Sequence, residues 1–182
     1  SYQSSVVRRV DELGRLVIPK EIRRTMRLAE GTPLEIFTDR EGQIILKKYS
    51  PMMELGSFAK QYAESVAQTM NQKVAVSDRD QIIAVAGGGK RELLGKTISR
   101  QLEEMIINRE NSIQAGLDKK TIPLISGDED SYSAQAIYPI CCEGDCIGAV
   151  ILYSRENQTH FSETEYKAAA CAASFLGKQM EG

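Results

Sequence analysis

The stretch Val6–Lys20 (VVRRVDELGRLVIPK) constrains the fold more than any other part of this 182-residue chain. It is apolar enough to form core, yet three arginines and a lysine interrupt it. Val-rich residues 5–10 predict a strand, Leu13-Gly14 a turn, and Leu16-Val17-Ile18 a second short strand. Pro19 ends that strand and suits the first turn of a helix, where its missing N–H costs nothing. The helix is expected over residues 20–26, with Ile22 and Met26 on one side. Residues 33–38 and 43–48 then flank Asp39-Arg40-Glu41-Gly42, which predicts a hairpin. About 50 residues bury too little apolar surface to be stable alone without a metal or disulfide. Strands apolar on more than one side therefore predict self-association, with strands exchanged between two copies.

Charge is distributed unevenly. The net charge is −2, but residues 1–50 carry +3 and residues 51–182 carry −5. Such asymmetry predicts that one end meets a polyanion. The cations are Arg8 and Arg9 on the first strand, Arg15 after the turn, and Lys20, Arg23, Arg24 and Arg27 on the helix. A guanidinium can hold a phosphate through two parallel hydrogen bonds, or a guanine edge bidentately, where an ammonium offers a point charge. The competing reading is a solvated face in which Asp11, Glu12 and Glu21 neutralise these arginines.

Ser50-Pro51 marks a boundary. Leu55, Phe58, Ala59, Tyr62, Val66 and Met70 recur at helical spacing, which predicts a helix that packs on the C-terminal domain and touches a partner chain. The remainder alternates. Residues 73–77 and 81–86 predict a hairpin about Asp78-Arg79-Asp80, and Gly87-Gly88-Gly89 breaks the pattern. Helices are expected near residues 90–95 and 99–109, and strands at 120–125, 132–140 and 146–153. Tyr132, Ala134, Ala136, Tyr138 and Ile140 are expected on one sheet face. Ser162-Thr164-Glu165 belongs to a capping-box sequence that opens a last, alanine-rich helix. The fold class is α+β.

Catalytic and metal chemistry find little purchase. Gly87-Gly88-Gly89-Lys90 lacks the spacing of a phosphate-binding loop, and Arg91 follows where Ser or Thr is needed. A flexible loop or an anion-receiving pocket rim are the readings left to it. His160 has no matched carboxylate or nucleophile, so no enzyme is expected. Cys141, Cys142 and Cys146 fit no familiar zinc spacing, and with Cys171 they are expected to be reduced and packed. Asp128-Glu129-Asp130 is expected to be a solvated loop rather than a calcium site. No cofactor is expected. Reduced cysteines imply a reducing, cytoplasmic location, and no run approaches the roughly 20 apolar residues that cross a bilayer, so no membrane partner is expected.

Residues 6–51 (VVRRVDELGRLVIPKEIRRTMRLAEGTPLEIFTDREGQIILKKYSP) closely resemble the swapped-hairpin DNA-binding domain of the AbrB transition-state regulators. The long pattern R-x-x-D-E-L-G-R-x-V-I-P-x-E-x-R-R carries the resemblance. The rest of the chain, with DRDQIIAVAGGGKRELLGKTIS and the last helix, resembles the GAF-like domain that longer members join to it. The resemblance implies an intertwined N-terminal β-barrel dimer over residues 1–50, a linker helix over 51–72 and a GAF-like antiparallel sheet with flanking helices over 73–182. It implies double-stranded DNA as partner, a tetramer assembled through the C-terminal halves, and activation of some genes and repression of others during spore development, in the nucleoid and forespore. A small-molecule ligand of the GAF-like part is a further implication. The family's DNA-contacting arginines fall on Arg8, Arg15, Arg23 and Arg24, with Arg9 and Lys20 beside them. The alternative is an antitoxin-like interaction module, which shares the swapped hairpin but carries a short disordered tail.

Overall fold

The structure is a computed structural model that describes residues 5–113, 120–128 and 132–181. It divides into two compact units, one ending at Tyr49 and the other beginning at Ser50.

The first unit holds one short helix, α1 (Lys20–Thr25), and one hairpin, β1 (Leu34–Thr38) with β2 (Ile44–Lys48). Pro19 stands at the N-cap of α1 with extended backbone (φ −57°, ψ 147°), as its position before the helix predicts. β1 and β2 pair antiparallel, Leu34 opposite Lys48 and Thr38 opposite Ile44. The strands expected at 5–10 and 16–18 form no ladder among the described residues. Only their turn is closed. No described residue of this unit is buried.

The second unit is built around a four-stranded antiparallel sheet. Its strands are β3 (Lys73–Asp78), β4 (Ile82–Ala86), β5 (Ala134–Cys142) and β6 (Asp145–Ser154), in the order β4-β3-β6-β5. α2 (Gly56–Met70) and α5 (Glu163–Gln179) cover one face, where Val74, Val76, Ala136, Ile140, Val150 and Leu152 form a core. The other face carries α3 (Lys90–Leu93) and α4 (Arg100–Ile107), which bury Ile82, Ile137, Ile151 and Tyr153.

Both covering helices use small residues to approach the sheet. α2 buries Ala59, Ala63 and Ala67, four apart, rather than the bulkier stripe the spacing suggested. Phe58 remains 47% exposed. Tyr62, Val66 and Met70 flank the contact. In α5, Ala169, Ala172, Ala173 and Gly177 face inward. A Cβ on Gly177 would collide with the Cys141 carbonyl, so the helix backbone rests on the strand backbone. The alanines thus admit a sheet more than a second helix. The capping box forms as expected: the Ser162 N–H donates to Glu165 Oε2 at 2.7 Å and Ser162 Oγ accepts from the Thr164 N–H at 3.3 Å.

Three expectations are corrected. Residues 120–125 are not a strand. The buried Gln135 side chain takes the place of a neighbouring backbone there, accepting from Ile122 N–H at 2.8 Å and donating to its carbonyl at 2.7 Å. Asp128 is not solvated: its carboxylate accepts the Tyr132 hydroxyl at 2.5 Å and faces Arg155 Nη2 at 3.5 Å. Glu129 and Asp130 lie outside the described residues. Nor are all four cysteines reduced and packed. Cys141 and Cys146 are joined across β5 and β6, and Cys171 is exposed.

Candidate nucleic-acid interface

The N-terminal turn is organised by Asp11. Its Oδ1 accepts the backbone N–H groups of Leu13 and Arg15 at 2.9 and 2.8 Å, and its Oδ2 accepts Arg15 Nε at 2.7 Å. The Asp11 N–H donates to the Arg15 carbonyl at 3.0 Å, and Gly14 (φ +77°) supplies the left-handed residue the turn needs. Hydrogen bonds from the Arg15 backbone and then its guanidinium hold the Asp11 carboxyl below its ordinary range. One carboxylate therefore shapes the turn and aims a cation at once.

Of the seven cations singled out from the sequence, Arg8, Arg9, Arg15, Lys20, Arg23 and Arg24 are exposed, whereas Arg27 falls beyond the end of α1 and is half-buried. Among the described residues, only Arg15 of the six meets a carboxylate. Glu12 and Glu21 do not neutralise the others, so the solvated, paired face survives at one position only. Arg8 donates from Nη1 to its neighbour's carbonyl, Val7 O, at 3.1 Å. It borders an apolar hollow of about 300 Å³ with Leu16, Ile18, Pro19, Ile22 and Leu46. Arg23 borders a second hollow of about 380 Å³, which shares Ile18 and adds Leu28 and Leu34. Cations and apolar troughs thus alternate over one small unit. Val7, Val10, Leu13, Val17, Ile36 and Ile44 are each at least 66% exposed there. So many large apolar side chains left open on one small unit mark an interaction surface.

The second unit offers a different constellation. Gly87, Gly88 and Gly89 all have positive φ, and the loop is held by packing. A Cβ on Gly87 would meet the Gln72 carbonyl at 2.5 Å, and the Tyr153 hydroxyl donates to Gly88 O at 3.4 Å. Burial pushes the Tyr153 hydroxyl up to about 12. His160 is exposed ahead of α5. No helix in the described residues is long and apolar enough to cross a membrane.

A family model described as "Stage V sporulation protein T C-terminal, transcription factor" matches residues 54–181. The chain is 47% identical over 178 residues to stage V sporulation protein T of Bacillus subtilis, covering 98% of each. The chain belongs to the stage V sporulation protein T family. The family is one of transcription factors, and the match reaches across both units.

The N-terminal unit has its own likenesses. Transition state regulatory protein AbrB of Bacillus subtilis is 60% identical over 50 residues, 28% of this chain and 51% of AbrB. A second family model, "Antidote-toxin recognition MazE, bacterial antitoxin", matches residues 7–53. The GAF domain of a phosphoenolpyruvate-protein phosphotransferase from Acinetobacter superposes with a TM-score of 0.54 at 14% identity, covering 74% of this chain and 84% of that one. At that identity the likeness is one of fold, and it bears out the GAF-like C-terminal sheet read from the sequence.

Sequence reasoning missed the Asp128–Tyr132–Arg155 cluster and the cysteine pair. The first left no signal, because Arg155, which closes it, lies far along the chain from Asp128 and Tyr132. The second did: Cys141 and Cys146 stand either side of the Glu143-Gly144-Asp145 turn, where a hairpin places them opposite one another.

Proposed function

We propose that this chain is a DNA-binding regulator of sporulation genes in which residues 1–50 of two copies interlace. Their arginines then form a single surface for duplex DNA. The observation that carries this reading is the first unit's lack of any buried described residue beside a set of exposed cations. Apolar strands without ladders need partners, and a second copy supplies the same segments by symmetry. Covering the apolar troughs leaves the cations facing outward. Arg8, Arg15, Arg23 and Arg24 contact the phosphates and base edges, with Arg9 and Lys20 assisting. Phosphate contacts fix register, and base contacts and groove shape select the sequence. Residues 51–72 link this body to residues 73–182, which assemble dimers into a tetramer and offer a GAF-like chamber for a small molecule. The chain acts where the chromosome is, in the forespore, activating some genes and repressing others.

Arg15→Ala or Arg23→Ala is expected to abolish the mobility shift of target DNA while the oligomer, measured by light scattering, stays intact. If four arginines from each of two copies neutralise phosphates, log affinity falls against log salt with a slope of about −7. Unchanged affinity in both variants would remove the assignment. A second reading, a toxin-binding module, is favoured by the antitoxin-model match over residues 7–53. Against it stands the folded unit from Ser50 onward, where antitoxins carry a disordered tail. Copurification with a small toxin would select it.

A further inference from the structure

Cys141 and Cys146 face each other directly across β5 and β6, with Cα atoms 4.0 Å apart and their sulfurs bonded. The two sulfurs are not equivalent. Cys141 is exposed, whereas Cys146 is only 2% exposed and packs among Ile137, Ala149 and their neighbours. Cys141 also lines a cleft of about 320 Å³ together with Arg109, Asn111, Tyr138 and Ser174. Arg109 reaches the hairpin tip, its Nη2 lying 3.9 Å from where a Gly144 Cβ would stand. A guanidinium beside a thiol favours the thiolate, and it offers a carboxylate-bearing reagent a counter-charge.

We propose that Cys141 and Cys146 form a reversible thiol-oxidation site for small carboxylate-bearing disulfides, received in the Arg109 cleft. The Cys141 thiolate attacks one sulfur of the reagent, the reagent's S–S bond breaks, and one reagent thiolate leaves. The buried Cys146 then attacks the Cys141 sulfur, releasing the second reagent thiolate. Two protein thiols are oxidised to one disulfide, the reagent is reduced to two thiols, and the two cysteine protons pass to them. Access sets this order, because a reagent reaches Cys146 only through Cys141. Cys142 is a poor competitor: it neighbours Cys141 on the strand and so points to the other face of the sheet. Burial, and then Glu143, Glu181 and Asp145, push its thiol up. α5 rests on the Cys141 backbone at Gly177, so the oxidation pins the hairpin where that helix lies on it.

The test treats the reduced full-length chain with oxidised glutathione, alkylates it in denaturant and maps the peptides. Alkylation is expected to fall from all four cysteines to two, Cys142 and Cys171, with a Cys141–Cys146 linked peptide. Cys146→Ser should trap one glutathione on Cys141, and Cys141→Ser should leave Cys146 unmodified. Arg109→Gln should slow trapping by glutathione about tenfold while sparing the neutral 2-hydroxyethyl disulfide. Four alkylated cysteines in the oxidised chain, a different pairing, or an adduct on Cys142 would overturn the proposal. Equal slowing of both reagents in Arg109→Gln would overturn the carboxylate-receiving cleft. The wild-type map decides on its own should a variant fail to fold.

Discussion

Two hairpin turns in the first unit are built alike, yet only one closes a ladder within the chain. In both, an aspartate opens the turn and a glycine with positive φ stands three residues on: Asp11 with Gly14 (φ +77°), Asp39 with Gly42 (φ +80°). In both, the aspartate Oδ1 accepts two backbone N–H groups, from Leu13 and Arg15 in one case and from Glu41 and Gln43 in the other. Beyond the second turn β1 and β2 pair along five residues. Beyond the first, residues 6–10 and 16–18 form no ladder among the described residues. Turn chemistry is local and forms wherever its residues stand. A ladder needs a surface that buries one side of it, and the first unit does not provide that surface alone.

The most severe break in this comparison comes from the unpaired strands. Val17→Asp, placing a charge on a residue 68% exposed in the single chain, is expected to abolish self-association. Light scattering would detect the loss, and an unchanged particle size would argue that Val17 faces solvent in the assembly too. The matched control is Leu152→Ala in the fully buried core of the second unit. It should cost about 2–5 kcal/mol in a denaturant titration.

The glycines sharpen the comparison at a smaller scale. A Cβ at Gly14 or Gly42 would meet nothing within 4 Å, so an alanine there pays backbone strain alone. Gly14→Ala and Gly42→Ala should each cost about 1–2 kcal/mol, and nearly equal amounts if the turns are equivalent. Thermal melts of the two variants at one concentration would show it.

The smallest effect separates the turns by pH. The Asp11 carboxyl sits below its ordinary value of 3.8 because it accepts the Arg15 backbone and guanidinium. A depressed folded value contributes stability that is complete above the unfolded value and fades as pH falls through the folded one. The Asp11 turn should therefore be unaffected by acidification to about pH 5, and should loosen only below 3.8. NMR titration of the Asp11 carboxyl, with Asp11→Asn as reference, would measure it. A midpoint at or above 3.8 would remove Asp11 as the group that holds Arg15.

Local chemistry was the legible part of this chain. The Gly14 and Gly42 turns, the Asp78-Arg79-Asp80 and Glu143-Gly144-Asp145 hairpins and the Ser162 capping box form where their residues stand. The Cys141–Cys146 pair apart, which spans one tight turn, the features that sequence reading missed depend on more distant partners. Residues 120–125 look like a strand, but their partner is the Gln135 side chain rather than a backbone. Asp128 looks solvated until Arg155 and Tyr132 close over it. α2 carries one stripe of large residues and one of alanines, and periodicity does not say which faces the sheet. Close approach decides it, because only the alanine side lets the helix lie against Val74 and Val76. At the candidate DNA surface, the cations and their exposure were legible from the residues, and the hollows between them were not.

The open interior of the first unit bears on dosage. If two copies complete it as proposed, the finished body is scarce while the chain is dilute, and its amount grows as the square of chain concentration until pairing saturates. A modest rise in expression would then yield a disproportionate rise in DNA-competent particles. In that regime gene copy and translation rate become inputs to the regulator's output.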